Sequence, residues 1–176
     1  MYRGLFCIFA GVNIMKYHGK TKEQLLNILD QFQLDEKVVS AEPFGNGHIN
    51  DTLKVTNEKG EIKYVLQRIN HLIFTNVDML QNNIHVVTTH IRKKLEEKGE
   101  TDIDRKVLTF LPTKDGKKYY FDGDSYWRVC LFIPRSKSYE EVTPELSYEA
   151  GKAFGDSRPC CPIYPRYAGR DHPGFP

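Results

Sequence analysis

The segment of this chain best suited to chemistry is a glycine-rich stretch, residues 45–51, that reads Gly-Asn-Gly-His-Ile-Asn-Asp. Two glycines one residue apart let a backbone approach a ligand closely, and the exposed amides of such a loop can receive phosphate oxygens. The signal is weak on its own, because most loops of this kind are simple hairpin turns. No Gly-Lys-Ser/Thr sequence follows, which excludes a Walker A loop, and the strand predicted after it excludes a Rossmann turn.

Two side chains further along the chain could act together with this loop. Gln67 and Arg68 end the segment YVLQR, residues 64–68, which reads as a strand. A kinase-type amino lobe places a glycine-rich hairpin over ATP and a cation on its third strand. Because neighbouring strand residues point to opposite faces, only one of these two side chains can lie beneath the loop. Gln67 could contact phosphate or ribose without adding charge, and we expect Arg68 to be a solvated residue.

Hydrophobic periodicity supplies the elements that would position these residues. Apolar residues at helical spacing predict a helix at 21–32, and Thr21 with Gln24 forms a capping box at its start. The other predicted elements are strands at 38–44, 52–56 and 62–70, a long helix at 76–98, a hairpin of 107–113 with 118–121, a strand at 126–133 and a helix from Thr143. Strands joined by short hairpins imply an antiparallel sheet with the long helix packed on one face, which is an α+β domain.

Composition and charge exclude several function classes. Of the 176 residues, 40% are hydrophobic and 27% are charged, which is typical of a folded domain and excludes a disordered or fibrous chain. The net charge of +2 comes from the two ends, because residues 15–156 carry 21 basic and 22 acidic side chains. A body so close to neutral predicts no nucleic-acid partner.

The two ends of the chain differ from its body. Residues 1–15 have the outline of a short signal peptide, or they are a non-native extension, and their apolar run is too short to span a bilayer. Residues 157–176 hold five of the nine prolines, which predicts a Pro/Arg/Cys-rich disordered tail. In the body, Cys130 is expected to be a buried free thiol. We therefore predict a cytoplasmic location and no membrane partner.

Four segments of the body resemble a known enzyme family. EPFGNGHIND (42–51), YVLQRINHLIFTN (64–76), YWRVCLFIPRSKSY (126–139) and YEAGKAFGD (148–156) are similar, in order and without large gaps, to the amino-terminal part of bacterial N-acetylhexosamine 1-kinases. These enzymes belong to the aminoglycoside phosphotransferase and choline kinase-like superfamily. They use ATP and magnesium to phosphorylate the anomeric hydroxyl of an N-acetylhexosamine. The resemblance runs from about residue 22 to residue 156.

The resemblance implies a fold and a nucleotide site. The fold would be a protein-kinase-like amino lobe preceded by an N-terminal helix, with residues 16–142 as the lobe and 143–156 as the start of the first helix of a carboxyl-terminal lobe. The implied nucleotide-binding residues are Gly45, Asn46, Gly47, His48, Ile49 and Asn50 of the phosphate-covering loop, Gln67 in the place of the usual cation, and Phe132 and Ile133 at the start of the hinge that receives adenine.

The chain departs from the superfamily pattern in two places. The long helix carries His85 where many kinases have a glutamate, so the usual ion pair with the third strand cannot form. The superfamily sequence His-x-Asp-x-x-x-x-Asn and the later magnesium-binding aspartate are both absent from the 176 residues. We therefore expect no catalytic and no metal-binding residue in this chain, and we expect a truncated amino-terminal lobe without kinase activity.

A second hypothesis belongs to a different class. The chain could be a stand-alone, non-catalytic module that binds a nucleotide or a protein partner. A lone amino lobe exposes the apolar surface that a second lobe would cover, and such a surface favours association. The first hypothesis expects ATP as a ligand and an N-acetylhexosamine as the substrate of the full-length family, whereas the second expects either a nucleotide or a protein partner.

Overall fold

The computed structural model describes residues 19–45, 49–136 and 141–157. Its ten elements are α1 (Lys22–Leu29), β1 (Val38–Pro43), β2 (Asp51–Asn57), β3 (Ile62–Ile69), α2 (Val77–Glu97), α3 (Ile103–Lys106), β4 (Phe110–Leu111), β5 (Tyr120–Phe121), β6 (Tyr126–Leu131) and α4 (Pro144–Ser157). The α+β class, the antiparallel sheet, the long helix and the shorter N-terminal helix are confirmed. None of the helices in these residues is long and apolar enough to cross a membrane.

The chain divides into two compact units. The first comprises Met1–Gln81 and Phe110–Phe132, and its described part holds α1 and all six strands. The second comprises Asn82–Thr109 and Ile133–Pro176, and its described part holds most of α2 together with α3 and α4. The predicted extension at 1–15 and residues 158–176 of the predicted tail lie outside the described residues.

Local sequence accounts for the start and end of the helices. Thr21 Oγ1 accepts from the Gln24 N–H at 3.2 Å and Gln24 Oε1 accepts from the Thr21 N–H at 2.8 Å, which confirms the capping box. At the carboxyl-terminal end of α2, Gly99 adopts a φ of 67°, and the Glu100 N–H donates to the Leu95 carbonyl at 3.0 Å. This is a Schellman motif, which satisfies carbonyls that the helix end would leave unpaired.

All strand pairs of the sheet are antiparallel. The strand order is β1-β2-β3-β6-β4, and β5 also pairs with β6. The β2–β3 turn closes as predicted, because Asn57 Oδ1 accepts from the N–H groups of Lys59 and Glu61 and Gly60 adopts a φ of 80°. The chain therefore returns sharply and sets β3 directly against β2.

The predicted hairpin of 107–113 with 118–121 is wrong. Its turn does form, since the Thr113 N–H donates to the Lys117 carbonyl at 2.9 Å. However, β4 and β5 each pair with β6 and not with each other. Each is only two residues long, which is too short for the two to form a ladder of hydrogen bonds with each other. Both instead pair with the edge of β6 that faces away from β3.

The hydrophobic core lies between α1 and one face of the sheet, which we call the α1 face. Its buried side chains are Leu25, Ile28, Leu29 and Phe32 from α1 and the residues after it, and Leu53, Val55, Tyr64, Leu66, Trp127 and Val129 from the sheet. The strand residues alternate with less buried ones, as expected for strands that bury one face more than the other. Trp127 is fully buried, and its Nε1–H donates to Asp122 Oδ2 at 2.9 Å.

The core predicts a sharp contrast between two leucines. Leu66→Ala should lower the free energy of unfolding by about 3 kcal/mol, since Leu66 is fully buried and its removal leaves a cavity. Leu72→Ala is the matched control, because Leu72 is 83% exposed and should cost less than about 0.5 kcal/mol. Urea unfolding followed by the fluorescence of the single tryptophan measures both. Equal losses would contradict the assignment of the core.

Candidate functional site

The candidate site lies on the sheet face opposite α1, which we call the second face. Residues directly opposite each other on paired strands share a face. Thr52 pairs with Gln67, and Gln67 pairs with Arg128, so these three side chains form one row across β2, β3 and β6. We call them the polar row. It begins two residues after the predicted loop ends at Asn50, because Thr52 is the second residue of β2.

Hydrogen bonds join the members of the polar row. The side-chain amide of Gln67 donates from Nε2 to Thr52 Oγ1 at 3.1 Å, and its Oε1 accepts from Arg128 Nε at 3.0 Å. Both ends of Gln67 are therefore engaged by its neighbours on the adjacent strands. A residue predicted to contact phosphate by itself is thus held in place and joined to a cation that the sequence analysis did not identify.

Arg68 lies on the α1 face, as the alternation requires, but the expectation that it is solvated is wrong. It is 8% exposed, and its Nε donates to Asp51 Oδ2 at 2.6 Å. An arginine can be buried in this way when a carboxylate accepts from it. Asp51 is paired with Arg68 in the β2–β3 register, and this cross-strand neighbour could not be known before the register was.

Arg128 is surrounded very differently from Arg68. Its guanidinium carbon lies 5.1 Å from the centre of the Phe110 ring, and its Nη1 is buried without a hydrogen-bond partner in the described part of the chain. Burial lowers the pKa of Arg128, because removal from water disfavours the charged form. Cys130, its neighbour on the same face, adds no negative charge, since burial raises the pKa of this thiol to about 11. The free, buried thiol itself is confirmed.

Two aromatic rings meet on the second face, one just before the predicted loop and one just after β6. The rings of Phe44 and Phe132 meet edge to face with centroids 5.8 Å apart. Phe44 bonds to Thr52, and Phe132 continues the alternation of Arg128 and Cys130, so both rings belong to the second face. Three strand spacings, about 14 Å in a flat sheet, separate β1 from β6. The sheet therefore curls around this face.

The remaining predicted site residues have varied surroundings. Gly45 adopts a φ of 78°, which suits a glycine turn, while Ile49 is exposed. Asn50 has a structural contact, because its Oδ1 accepts from the Asn70 N–H at 3.0 Å and ties the start of β2 to the end of β3. Asn46, Gly47 and His48 lie outside the described residues.

The predicted hinge residues form hydrogen bonds within the chain, and His85 is exposed. The Phe132 N–H donates to the Lys63 carbonyl at 2.9 Å, so this donor belongs to the sheet and is not free for a base. The Ile133 carbonyl accepts from Ser136 Oγ at 3.0 Å. Ile133 is assigned to the second unit, as is His85, which is exposed on α2.

Sequence reasoning missed Arg128, Phe110 and Phe44. A signal for Arg128 was present, because it is a charged residue in the otherwise apolar and aromatic run 126–133. Alternation alone would have put it on the face opposite Trp127 and Val129. What could not be seen is that this face is also the face of Gln67, since that depends on the pairing of β3 with β6.

The chain matches no model of a known protein family.

Substitution of the two arginines should have unequal effects on stability. Arg68→Met should lower the free energy of unfolding by about 2 kcal/mol, because it removes a buried, charge-assisted hydrogen bond to Asp51. Arg128→Met should change it by less than about 1 kcal/mol, since the lost bond to Gln67 is offset by removing a buried charge that has no acidic partner. Urea unfolding of both variants tests this, and equal losses would show that Arg128 serves mainly to hold the fold.

Proposed function

We propose that residues 16–142 form the nucleotide-binding lobe of an ATP-dependent sugar kinase. The reaction would transfer the terminal phosphoryl group of ATP to the anomeric hydroxyl of an N-acetylhexosamine. The observation that carries the proposal is the contact between Phe44 and Phe132. It places the residue before the glycine-rich loop against the residue after β6, on the sheet face that carries Gln67, where a nucleotide would have to bind.

The residues of this face suit different parts of a nucleotide. Phe44 and Phe132 offer aromatic rings on which a purine base can stack. Gly45 has a positive φ and precedes the loop whose exposed amides would receive phosphate oxygens. Gln67 offers the second Nε2 hydrogen for a phosphate or ribose oxygen while the first bonds to Thr52. The Phe132 N–H would not receive the adenine, since that donor is used by the sheet.

Phosphoryl transfer would need groups beyond these residues. It depends on metal ions and on residues that align the acceptor hydroxyl. Within residues 19–45, 49–136 and 141–157, no group of three or more His, Cys, Asp or Glu side chains could hold a metal ion. The sequence His-x-Asp-x-x-x-x-Asn, whose aspartate would align the acceptor hydroxyl, is absent from the 176 residues. We propose that the lobe binds ATP without turning it over, and that it does so in the cytoplasm, where the free thiol of Cys130 is stable.

A second candidate function is supported by exposed apolar side chains. Leu72, Ile73 and Met79 are 83%, 56% and 50% exposed, and they follow one another closely at the β3–α2 connection. Apolar side chains grouped on a surface favour association with another protein. The chain would then be a non-catalytic module that binds a nucleotide or a protein partner. Sedimentation velocity of the purified chain measures its self-association. Repeating the run with ATP shows whether a bound nucleotide changes that association.

The proposal predicts binding without catalysis. Isothermal titration of the 176-residue chain with ATP should show saturable binding, because the loop, the aromatic pair and Gln67 are carried by this chain. Incubation with ATP, magnesium and N-acetylglucosamine or N-acetylgalactosamine should yield no sugar 1-phosphate. Sugar phosphate in this assay would contradict the predicted inactivity, and the absence of any ATP binding would contradict the nucleotide-binding lobe.

Two glycines provide a matched test of the loop. Gly45 and Gly60 adopt φ values of 78° and 80°, and neither would place a new methyl group against another atom. Substitution by alanine should therefore cost each turn about 1 kcal/mol of backbone strain. Only Gly45→Ala should also weaken ATP binding, because Gly60 lies in the β2–β3 turn at the opposite end of these strands. Titration with ATP compares the two, and equal effects on affinity would exclude the loop from the site.

A further inference from the structure

The surroundings of Arg128 leave its charge unbalanced. Its Nε bonds to a neutral amide, the guanidinium lies over an aromatic ring, and Nη1 is buried without a partner. Among the described residues no carboxylate forms an ion pair with it, whereas Arg68 one strand away is paired with Asp51. A buried charge that lacks a counter-charge is costly. Arg68 shows that this sheet can pair a buried arginine with a carboxylate. The absence of such a carboxylate at Arg128 suggests that its charge is balanced by something outside the described residues.

The second face near Arg128 carries an excess of positive charge. Lys54, two residues along β2 from Thr52, is balanced by Glu42 at 3.3 Å. Cys130 stays protonated, because burial raises the pKa of its thiol to about 11. Arg128 therefore leaves one uncompensated positive charge among these groups. An anion at this position would gain from both the charge and the low local dielectric.

The proposed kinase site gives this charge a role. In protein kinases the third strand supplies a lysine to the phosphates. Here β3 supplies the neutral Gln67. Arg128, on the neighbouring strand β6, donates from Nε to Gln67 Oε1 and so brings a cation next to that position. With two strand spacings between them, Arg128 lies about 10 Å from Thr52, which follows the loop.

We propose that the guanidinium of Arg128 binds a phosphate group of the nucleotide, so that the cation of the site comes from β6 and not from β3. This rests on the proposed function. The Nε is committed to Gln67, which orients the planar guanidinium. Its terminal nitrogens, of which Nη1 has no partner among the described residues, would donate to a phosphate oxygen. Gln67 is thus a positioning residue for Arg128, and Phe110 supports the guanidinium from its face.

Titration with phosphate-bearing and phosphate-free ligands tests the assignment. Isothermal titration would measure ATP, adenosine and tripolyphosphate against the wild-type chain, Arg128→Met, Arg128→Lys and Lys114→Gln. The last is the charge-matched control, since Lys114 is exposed and paired with Asp30 at 2.9 Å, away from the polar row. We expect Arg128→Met to weaken ATP and tripolyphosphate about tenfold or more and to leave adenosine unchanged. Arg128→Lys should recover part of the affinity, and Lys114→Gln should behave as wild type.

The outcomes separate this inference from the function on which it rests. If the wild-type chain binds ATP and Arg128→Met binds it equally well, the phosphate role of Arg128 is overturned and the nucleotide-binding lobe stands. If the chain binds tripolyphosphate through Arg128 but neither ATP nor adenosine, the anion site stands and the kinase lobe fails. If the wild-type chain binds none of the three ligands, both are overturned. Circular dichroism of each variant confirms that it is folded before titration.

Discussion

The antiparallel pairing of β3 with β6 is the constraint on which the rest of the first unit depends. It joins strands whose paired residues Gln67 and Arg128 are 61 positions apart, so its entropic cost has to be offset by what it buries. On the α1 face it brings Leu66 against Val129 and Arg68 against Trp127 within the core. On the second face the same register sets Gln67 beside Arg128. The core and the candidate site therefore depend on the same strand register.

The two faces of the sheet have different roles: the α1 face forms the hydrophobic core, and the second face carries the candidate site. The core cluster on the α1 face is apolar, and Arg68, which is buried on the same face, is paired with Asp51. The second face carries a polar row and a guanidinium that has no acidic partner among the described residues. A structure optimised for stability alone would place an apolar side chain at this position, because that removes the desolvation cost. A buried charge without a partner breaks the usual rules for stability, and such exceptions are expected at binding sites. Arg128 therefore marks the second face as a candidate binding site.

Sequence reasoning succeeded where a short segment decides its own structure. The capping box of Thr21 and Gln24, the turn at Asn57 and the glycine end of α2 all formed as predicted, because each depends on contacts within a few residues. It failed for the 107–121 region, where two short strands turned to the edge of β6. It also failed for Arg68, whose carboxylate partner lies 17 positions away. Both errors concern partners that lie on other strands.

The glycine-rich loop and the Gln67 position were visible in the sequence, because residue type and period-2 alternation are local properties. Alternation determined that Gln67 and Arg68 point to opposite faces. Only the tertiary structure decided which face received α1, which strand became the neighbour of β3, and that Phe44 and Phe132 would meet. The physical reason is that strand order and register are set by burial of the whole apolar face, which no single segment contains. Arg128 became a candidate for phosphate binding through that register alone.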